Sequence, residues 1–411
     1  MSVSRGDFPN NISDEAINTL LLSIGLPKAT RITSPRVNAS FHGIYMITLP
    51  PGKKVTSANI LCDGDELVLR VAANYWPRIK TLNEQGVMSF ISNRTKIPIP
   101  QLIGWDASVD NPLGYEWTLL ARVPGETLSD IWHKLDAKQM GGILSQLANI
   151  IVELHSLKFK WIGGITSKSN EDDGWIVGQV IDETFWATHQ VLLWPAHSSV
   201  QNLNIRGPYK TYAGYIGTQV RLYTLQIQMH ENLRPYRYLV HPLDTLLDVL
   251  DERDEELSKT RFVLAHRDLH FGNIMYDQKA KKITGILDWE FAGVVPAPKW
   301  NPRGAFLWNC DRSESGKEMK EIFLENFVTR CKNRGLKAWP DEVEYTSPGQ
   351  KAMQEIADHL RAIIEVKVRD QYSQDVQMRL QFDERVSGWE KTITEALKVL
   401  DIEVPGERVL W

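Results

Sequence analysis

Cysteine is scarce in this chain. Cys62, Cys310 and Cys331 are the only three in 411 residues, far apart and odd in number. No disulfide framework or zinc-ligand spacing can be built from them, so a reducing compartment is the expected setting. Long apolar runs are also missing. No stretch of about 18 uncharged apolar residues occurs, which excludes an expected membrane helix. The opening MSVSRGDFPN lacks the apolar core of a secretory leader, and a cytoplasmic location is expected. Charge of one sign is not in excess: 47 Lys+Arg against 51 Asp+Glu give a net charge of −4, which is no general nucleic-acid footprint. There is no internal repeat and no low-complexity segment.

What is present is a soluble, globular balance of 43% hydrophobic and 24% charged residues. A chain of 411 residues is too long for one ordinary core, so two domains or lobes are expected. The first 124 residues are slightly basic and the remainder is acidic. An acidic second part could suit a cationic substrate, but a solvated acidic surface is the better explanation of it.

Ser13 followed by Asp14 and Glu15 predicts a helix start, and Ile17, Leu20, Leu21 and Ile24 recur at helical spacing. Strand-like runs follow at GIYMITL (43–49), SANILCDG (57–64) and ELVLRVA (66–72), the last two joined by a hairpin at Asp63-Gly64. A helix is predicted from Lys80 to Ile91. IPIPQLIGWD (97–106) is extended because each proline restricts its neighbour, and EWTLLARV (116–123) is a further strand ended by Pro124-Gly125. Beyond Gly125 the period changes to helical over 127–158, 217–229, 236–258, 316–334, 349–370 and 385–400. FVLA, NIMYD and ITGILDWEF, within 262–295, are predicted as short strands. Residues 160–215 are polar and aromatic with poor periodicity, and loops with short helices over a site are expected there.

The chemistry concentrates in FVLAHRDLHFGNIMYD (262–277) and ITGILDWEF (283–291). Two apolar runs are interrupted by HRDLHFGN. Asp268 sits on a turn after one run, and Asn273 starts the next. A hairpin over 274–287 returns Asp288 to the neighbourhood of Asn273. A carboxylate and an amide oxygen are the hard ligands that Mg²⁺ takes beside a phosphate, leaving Asp268 to orient or deprotonate a nucleophile. His266 and His270 with Asp268 also spell H-x-D-x-H, which zinc could use, but no further His/Asp cluster completes such a site.

HRDLHFGN matches the kinase catalytic-loop pattern H-R-D-L-x-x-x-N at every fixed position. Together with GILDWEFAG it resembles the aminoglycoside phosphotransferase and choline kinase family, whose members share the protein-kinase fold. VLRVA (68–72), IPIPQLIGWD, VPGETL (123–128) and LANIIVELHSL (147–157) resemble further family segments. WPRIKT and VPAPKW resemble features of its fungal-type branch. The likeness covers roughly residues 36–308; the last hundred match only as helices.

The resemblance implies an α+β, bilobal, protein-kinase-like fold, with a small antiparallel-sheet lobe at 1–123 that binds nucleotide. A mainly helical lobe at 124–411 would carry the catalytic loop and the substrate site. It implies ATP and Mg²⁺ as cofactors and a small-molecule hydroxyl as acceptor. Asp268 would be the catalytic base, Asn273 and Asp288 the metal ligands, and Arg70 the phosphate-binding cation paired with Glu84. Ser40 and Gly43, in the turn Asn38–Gly43, would cover the phosphates, and backbone at Ala121 to Val123 would read adenine. His266 would brace the loop. The chain departs from the pattern in two places. Arg70 stands where a lysine is expected, with Lys80 as a substitute, and NASFHG replaces a fuller glycine loop. Two alternatives follow, a protein kinase or a non-catalytic nucleotide-binding scaffold. No Ala-Pro-Glu follows DWE, which weakens the first, and the intact Asp268, Asn273 and Asp288 weaken the second. The 14 tryptophans are expected to be mostly core, although some in 161–194 and 300–308 could wall an apolar or cationic substrate, and His155 is expected to be a core residue.

Overall fold

The structure is a computed structural model that describes residues 9, 11–35, 41–51, 66–73, 76–167, 174–181, 204–300, 314–336, 345–369 and 376–405. Helix α1 spans Asp14–Ser23. Its start follows the sequence: Ser13 Oγ accepts the Ala16 amide at 3.1 Å, and Asp14 and Glu15 lie in the first turn. Strands β1 (Arg31–Thr33), β2 (His42–Thr48), β3 (Glu66–Ala72), β4 (Leu102–Asp106) and β5 (Trp117–Ala121) form an antiparallel sheet in the order β1-β2-β3-β5-β4. The predicted strand SANILCDG and its Asp63-Gly64 hairpin lie outside the described residues.

The two-residue alternation of β3 sorts its side chains. Leu67, Leu69 and Val71 bury with Ile17, Leu20 and Leu21 of α1. Val68 and Arg70 therefore face the other way, into a cavity. Between β3 and β4 runs helix α2 (Ile79–Arg94), a turn longer than predicted.

The chain leaves the sheet through Pro124-Gly125. Gly125 has φ +104°, and a Cβ there would stand 2.4 Å from the Tyr276 carbonyl, so only glycine fits. Glu126–Thr127 forms β6, which pairs with β10 (Ile274–Asp277), itself paired with β11 (Lys282–Ile286). Helix α3 (Ala137–Ser156) is capped by Asp136 and Gln139, which satisfy each other's backbone amides. That cap breaks the helix predicted for 127–158 into a short turn at Leu128–Ile131 and α3 proper.

Within 160–215 the described residues form two short paired strands, β7 (Ile165–Ser167) and β8 (Trp175–Val177). The next helix starts earlier than expected, at Tyr212, because Thr211 caps it through the Gly214 amide. FVLA is strand β9 (Phe262–Ala265), but it pairs with a strand not anticipated, β12 (Gly293–Pro296). The predicted run ITGILDWEF stops at Ile286 because Asp288 turns into the left-handed region at φ +63°.

One core packs α3 against β9, β10, β12 and helix Glu314–Asn333. A second joins helices Tyr212–Met229, Val240–Glu252, Pro348–Arg369 and Val376–Val399. Among the described residues, no helix is long and apolar enough to cross a membrane.

Candidate active site

The β10–β11 hairpin brings the two halves of the motif together. Ile274 stands opposite Ile286, and the Leu287 amide donates to the Asn273 carbonyl at 2.8 Å. Asp268, Asn273 and Asp288 thereby line one cavity of about 520 Å³. His266 is fully buried and braces both strands of the site. Its Nε2 donates to the Leu287 carbonyl at 2.8 Å, and its Nδ1 accepts the Asp268 amide. These partners fix the Nε2–H tautomer, and burial holds the ring neutral, with its pKa lowered to about 4. His270 Nδ1 is taken by the Gly272 amide. His270 Nε2 lies 3.8 Å from Asp268 Oδ2. Among the described residues, no group of three or more His, Cys, Asp or Glu side chains is placed as a zinc site would need.

Asn273 donates its amide nitrogen to the Asp268 carbonyl at 2.8 Å. That assigns the Asn273 oxygen to the other side of the amide. Trp289 anchors the neighbouring turn in the core, with its indole N–H on the Ile286 carbonyl at 2.9 Å. Asp288, the residue before it, keeps 28% of its side chain exposed.

Arg70 crosses from β3 to this turn. Its guanidinium lies 2.7 Å from Asp288 Oδ1 and 3.1 Å from Glu84 Oε1 on α2. The predicted Arg70–Glu84 pair is present, and the Arg70 fork serves a second carboxylate at once. Burial alone would raise the Asp288 pKa; the Arg70 charge outweighs it and holds the carboxyl below its ordinary value.

Lys80 does not line the cavity. It is buried and pairs with Glu290 Oε2 at 2.8 Å. Burial pushes the Glu290 carboxyl upward, and Lys80 opposes that shift. His42 lies between the two cations, 3.2 Å from Arg70 and 3.2 Å from Lys80. Burial first, then those two charges, keep its pKa well below the usual histidine value. Asn83, also on α2, uses both of its donors and its oxygen: it donates to the carbonyls of Glu290 (3.0 Å) and Ala292 (2.9 Å) and accepts the Ile165 amide at 2.8 Å. Sequence reasoning missed His42, Asn83 and Glu290 as members of this network. Their signal was weak: a polar helix face beside the DWE motif.

The other predicted residues divide. Ala121 and Val123 line the cavity beside Met46, Val68, Leu120 and Met275, an apolar slot. The Ala121 amide donates to Gln101 and the Arg122 amide to Glu66. Gly43 sits within β2 opposite Val71, where a Cβ would meet the Pro9 carbonyl at 2.7 Å, and it is not a cavity wall. Ser40 lies outside the described residues, as do Trp186, Trp194 and Trp308. Trp161 and Trp175 do not line the cavity, and each meets a cation of the chain itself: Lys210 lies over Trp161 and Arg94 over Trp175. Trp300 is buried. Of the described tryptophans in 161–194 and 300–308, none lines the cavity as a wall for an apolar or cationic substrate. His155 is buried beside Trp300 and Phe327, a core residue as expected.

The donor set fits a magnesium ion. The partly exposed Asp288 carboxylate and the Asn273 amide line the same cavity, and a phosphate-bound Mg²⁺ is held by only one or two protein carboxylates.

A model of the phosphotransferase enzyme family matches residues 50–297. A subtelomeric hrmA-associated cluster protein of Aspergillus fumigatus is 24% identical over 53% of this chain and 50% of its own length. Clavilactone A biosynthesis cluster protein Y of Ampulloclitocybe clavipes is 26% identical over 62% of this chain and 66% of its own. The chain thus matches about half the length of its Aspergillus relative. A solved structure from Ralstonia eutropha, provisionally named an aminoglycoside phosphotransferase, superposes with a TM-score of 0.50 at 13% identity, covering 94% of this chain and 99% of that one. The fold is kinase-like.

Proposed function

We propose, for a chain that belongs to the phosphotransferase enzyme family, that it transfers the γ-phosphate of ATP to a hydroxyl of a small molecule, with Mg²⁺. The observation that carries this reading is the convergence of Asp268, Asn273, Asp288 and Arg70 on one cavity with an apolar slot beside it. In this reading residues 1–123 bind nucleotide and 124–411 carry the catalytic loop and acceptor site.

Asp268 orients the acceptor hydroxyl and takes its proton, as a positioned carboxylate can. Asn273 and Asp288 would hold the metal, which would supply charge neutralisation for the phosphate being transferred. Arg70 turns its fork toward the phosphates while Glu84 keeps it in place. Backbone groups of Ala121 to Val123, in the segment that joins the lobes and lines the cavity, would read adenine. The acceptor class includes amino alcohols and aminoglycoside-like compounds, and the setting is cytoplasmic.

The test is transfer of labelled phosphate from ATP to a panel of amino alcohols, aminoglycosides, sugars, nucleosides and peptides. Labelled product that needs Mg²⁺ and is lost in Asp268→Asn is expected. Equal transfer by Asp268→Asn, or label on peptides alone, would overturn the reading.

A further inference from the structure

We infer that Lys80 and Asn83 are positioning residues for the metal carboxylate Asp288, and that α2 thereby sets the affinity for the divalent cation accompanying the nucleotide. The inference rests on the function proposed above. It concerns residues that the motif does not contain.

Asp288 occupies a left-handed backbone conformation, φ +63°. Such a residue costs of order 1 kcal/mol and persists only where its neighbours hold it. On its N-terminal side, Leu287 is tied by its amide to Asn273 and by its carbonyl to His266. On its C-terminal side, the restraint comes from α2. Lys80 grips the Glu290 side chain, and Asn83 grips the Glu290 and Ala292 carbonyls. Asn83 is itself fixed by the Ile165 amide. The helix is pressed against that strand so closely that a Cβ on Gly86 would stand 2.2 Å from the Ile165 carbonyl.

Stability alone does not account for this arrangement. Lys80 and Glu290 are 2% and 1% exposed. A buried ion pair is commonly no more stable than apolar residues of the same volume. What the polar set supplies is direction: two carbonyls and one carboxylate beyond Asp288 are held at fixed points, on the same helix that carries Glu84, the partner of Arg70. Groups that orient a metal ligand in this way typically contribute 10–100-fold to metal affinity.

The test uses the full chain and calorimetric ATP titrations, first in EDTA and then at increasing Mg²⁺. The variants are Asn83→Ala, Lys80→Met and Lys80→Arg, each checked by circular dichroism to be folded at the working temperature. Asn83→Ala leaves no charge unpaired and so keeps the test usable if Lys80→Met does not fold. The expected result is that ATP affinity in EDTA stays within about twofold of wild type. The Mg²⁺ concentration for half-maximal tightening should rise about 10-fold in Asn83→Ala and Lys80→Met, with Lys80→Arg between them and wild type. A wild-type Mg²⁺ response that the folded variants reproduce would overturn this inference alone. Absence of any Mg²⁺ response in wild type would overturn it together with the proposed function.

Discussion

The Arg70 guanidinium pairs with Asp288 and Glu84 at the same time, at 2.7 and 3.1 Å. A single cation on β3 thus joins α2 to the turn at Asp288. Lysine, a point charge without a fork, cannot hold both carboxylates in this way. Arg70→Ala should lower stability by about 3–5 kcal/mol, because Glu84 is left buried and unpaired. Arg70→Lys should recover part of that loss. Urea denaturation of the three proteins checks the order; equal midpoints would remove the pair from the account.

Asp268→Asn keeps the backbone contact that seats Asn273, since that bond goes to the Asp268 carbonyl. The variant should therefore bind nucleotide as wild type does. Its turnover should fall by about 10²–10⁴, the usual contribution of a positioned general base. Parallel kcat and ATP-affinity measurements separate the two effects.

Much of the site was legible in the sequence because its residues are close in the chain or joined by one hairpin. The spacing of Asp268, Asn273 and Asp288 sufficed, and the hairpin closed as the apolar pattern required. Arg70 was expected at the site from the resemblance alone, and the alternation of β3 is what turns it into the cavity. What was not legible came from α2. Its buried face carries Lys80, Thr81, Asn83, Glu84 and Gln85, a composition that looks solvent-exposed. Only tertiary partners explain why they are inside: Glu290 for Lys80, the Ile165–Ala292 neighbourhood for Asn83, Arg70 for Glu84 and Ser167 for Gln85. Strand β12 was missed for a related reason: GVVP is short and ends in proline, and it becomes a strand through pairing with β9.

Gly86 is a direct probe of the α2 contact. Adding a methyl group there places a carbon 2.2 Å from a backbone oxygen, and neither side of that contact is a flexible side chain. Gly86→Ala should cost about 1–3 kcal/mol despite alanine's better helix propensity. A thermal midpoint equal to or above wild type would contradict this packing.

His155 predicts a pH dependence of stability. Burial, then the Arg261 charge, lowers its pKa to about 3. The folded state therefore keeps the ring neutral, while the unfolded chain protonates near the ordinary histidine value of about 6.5. This contribution is complete above about pH 6.5 and is lost as pH falls from there toward 3. The stability difference between wild type and His155→Gln should shrink in favour of the variant by about 1.4 kcal/mol per pH unit below that point. Denaturation at pH 7.5, 6 and 5 measures it; a constant difference would mean that His155 titrates normally.

The central claim is that Asn273 and Asp288 hold a metal for a nucleotide in this cavity. The most direct measurement is the thermal shift produced by ATP, with and without Mg²⁺, in wild type and Asp288→Ala. The account predicts a rise in melting temperature that needs both ATP and Mg²⁺ in wild type and disappears in the variant. No shift with ATP or GTP in wild type, or an equal Mg²⁺-dependent shift in Asp288→Ala, would contradict it.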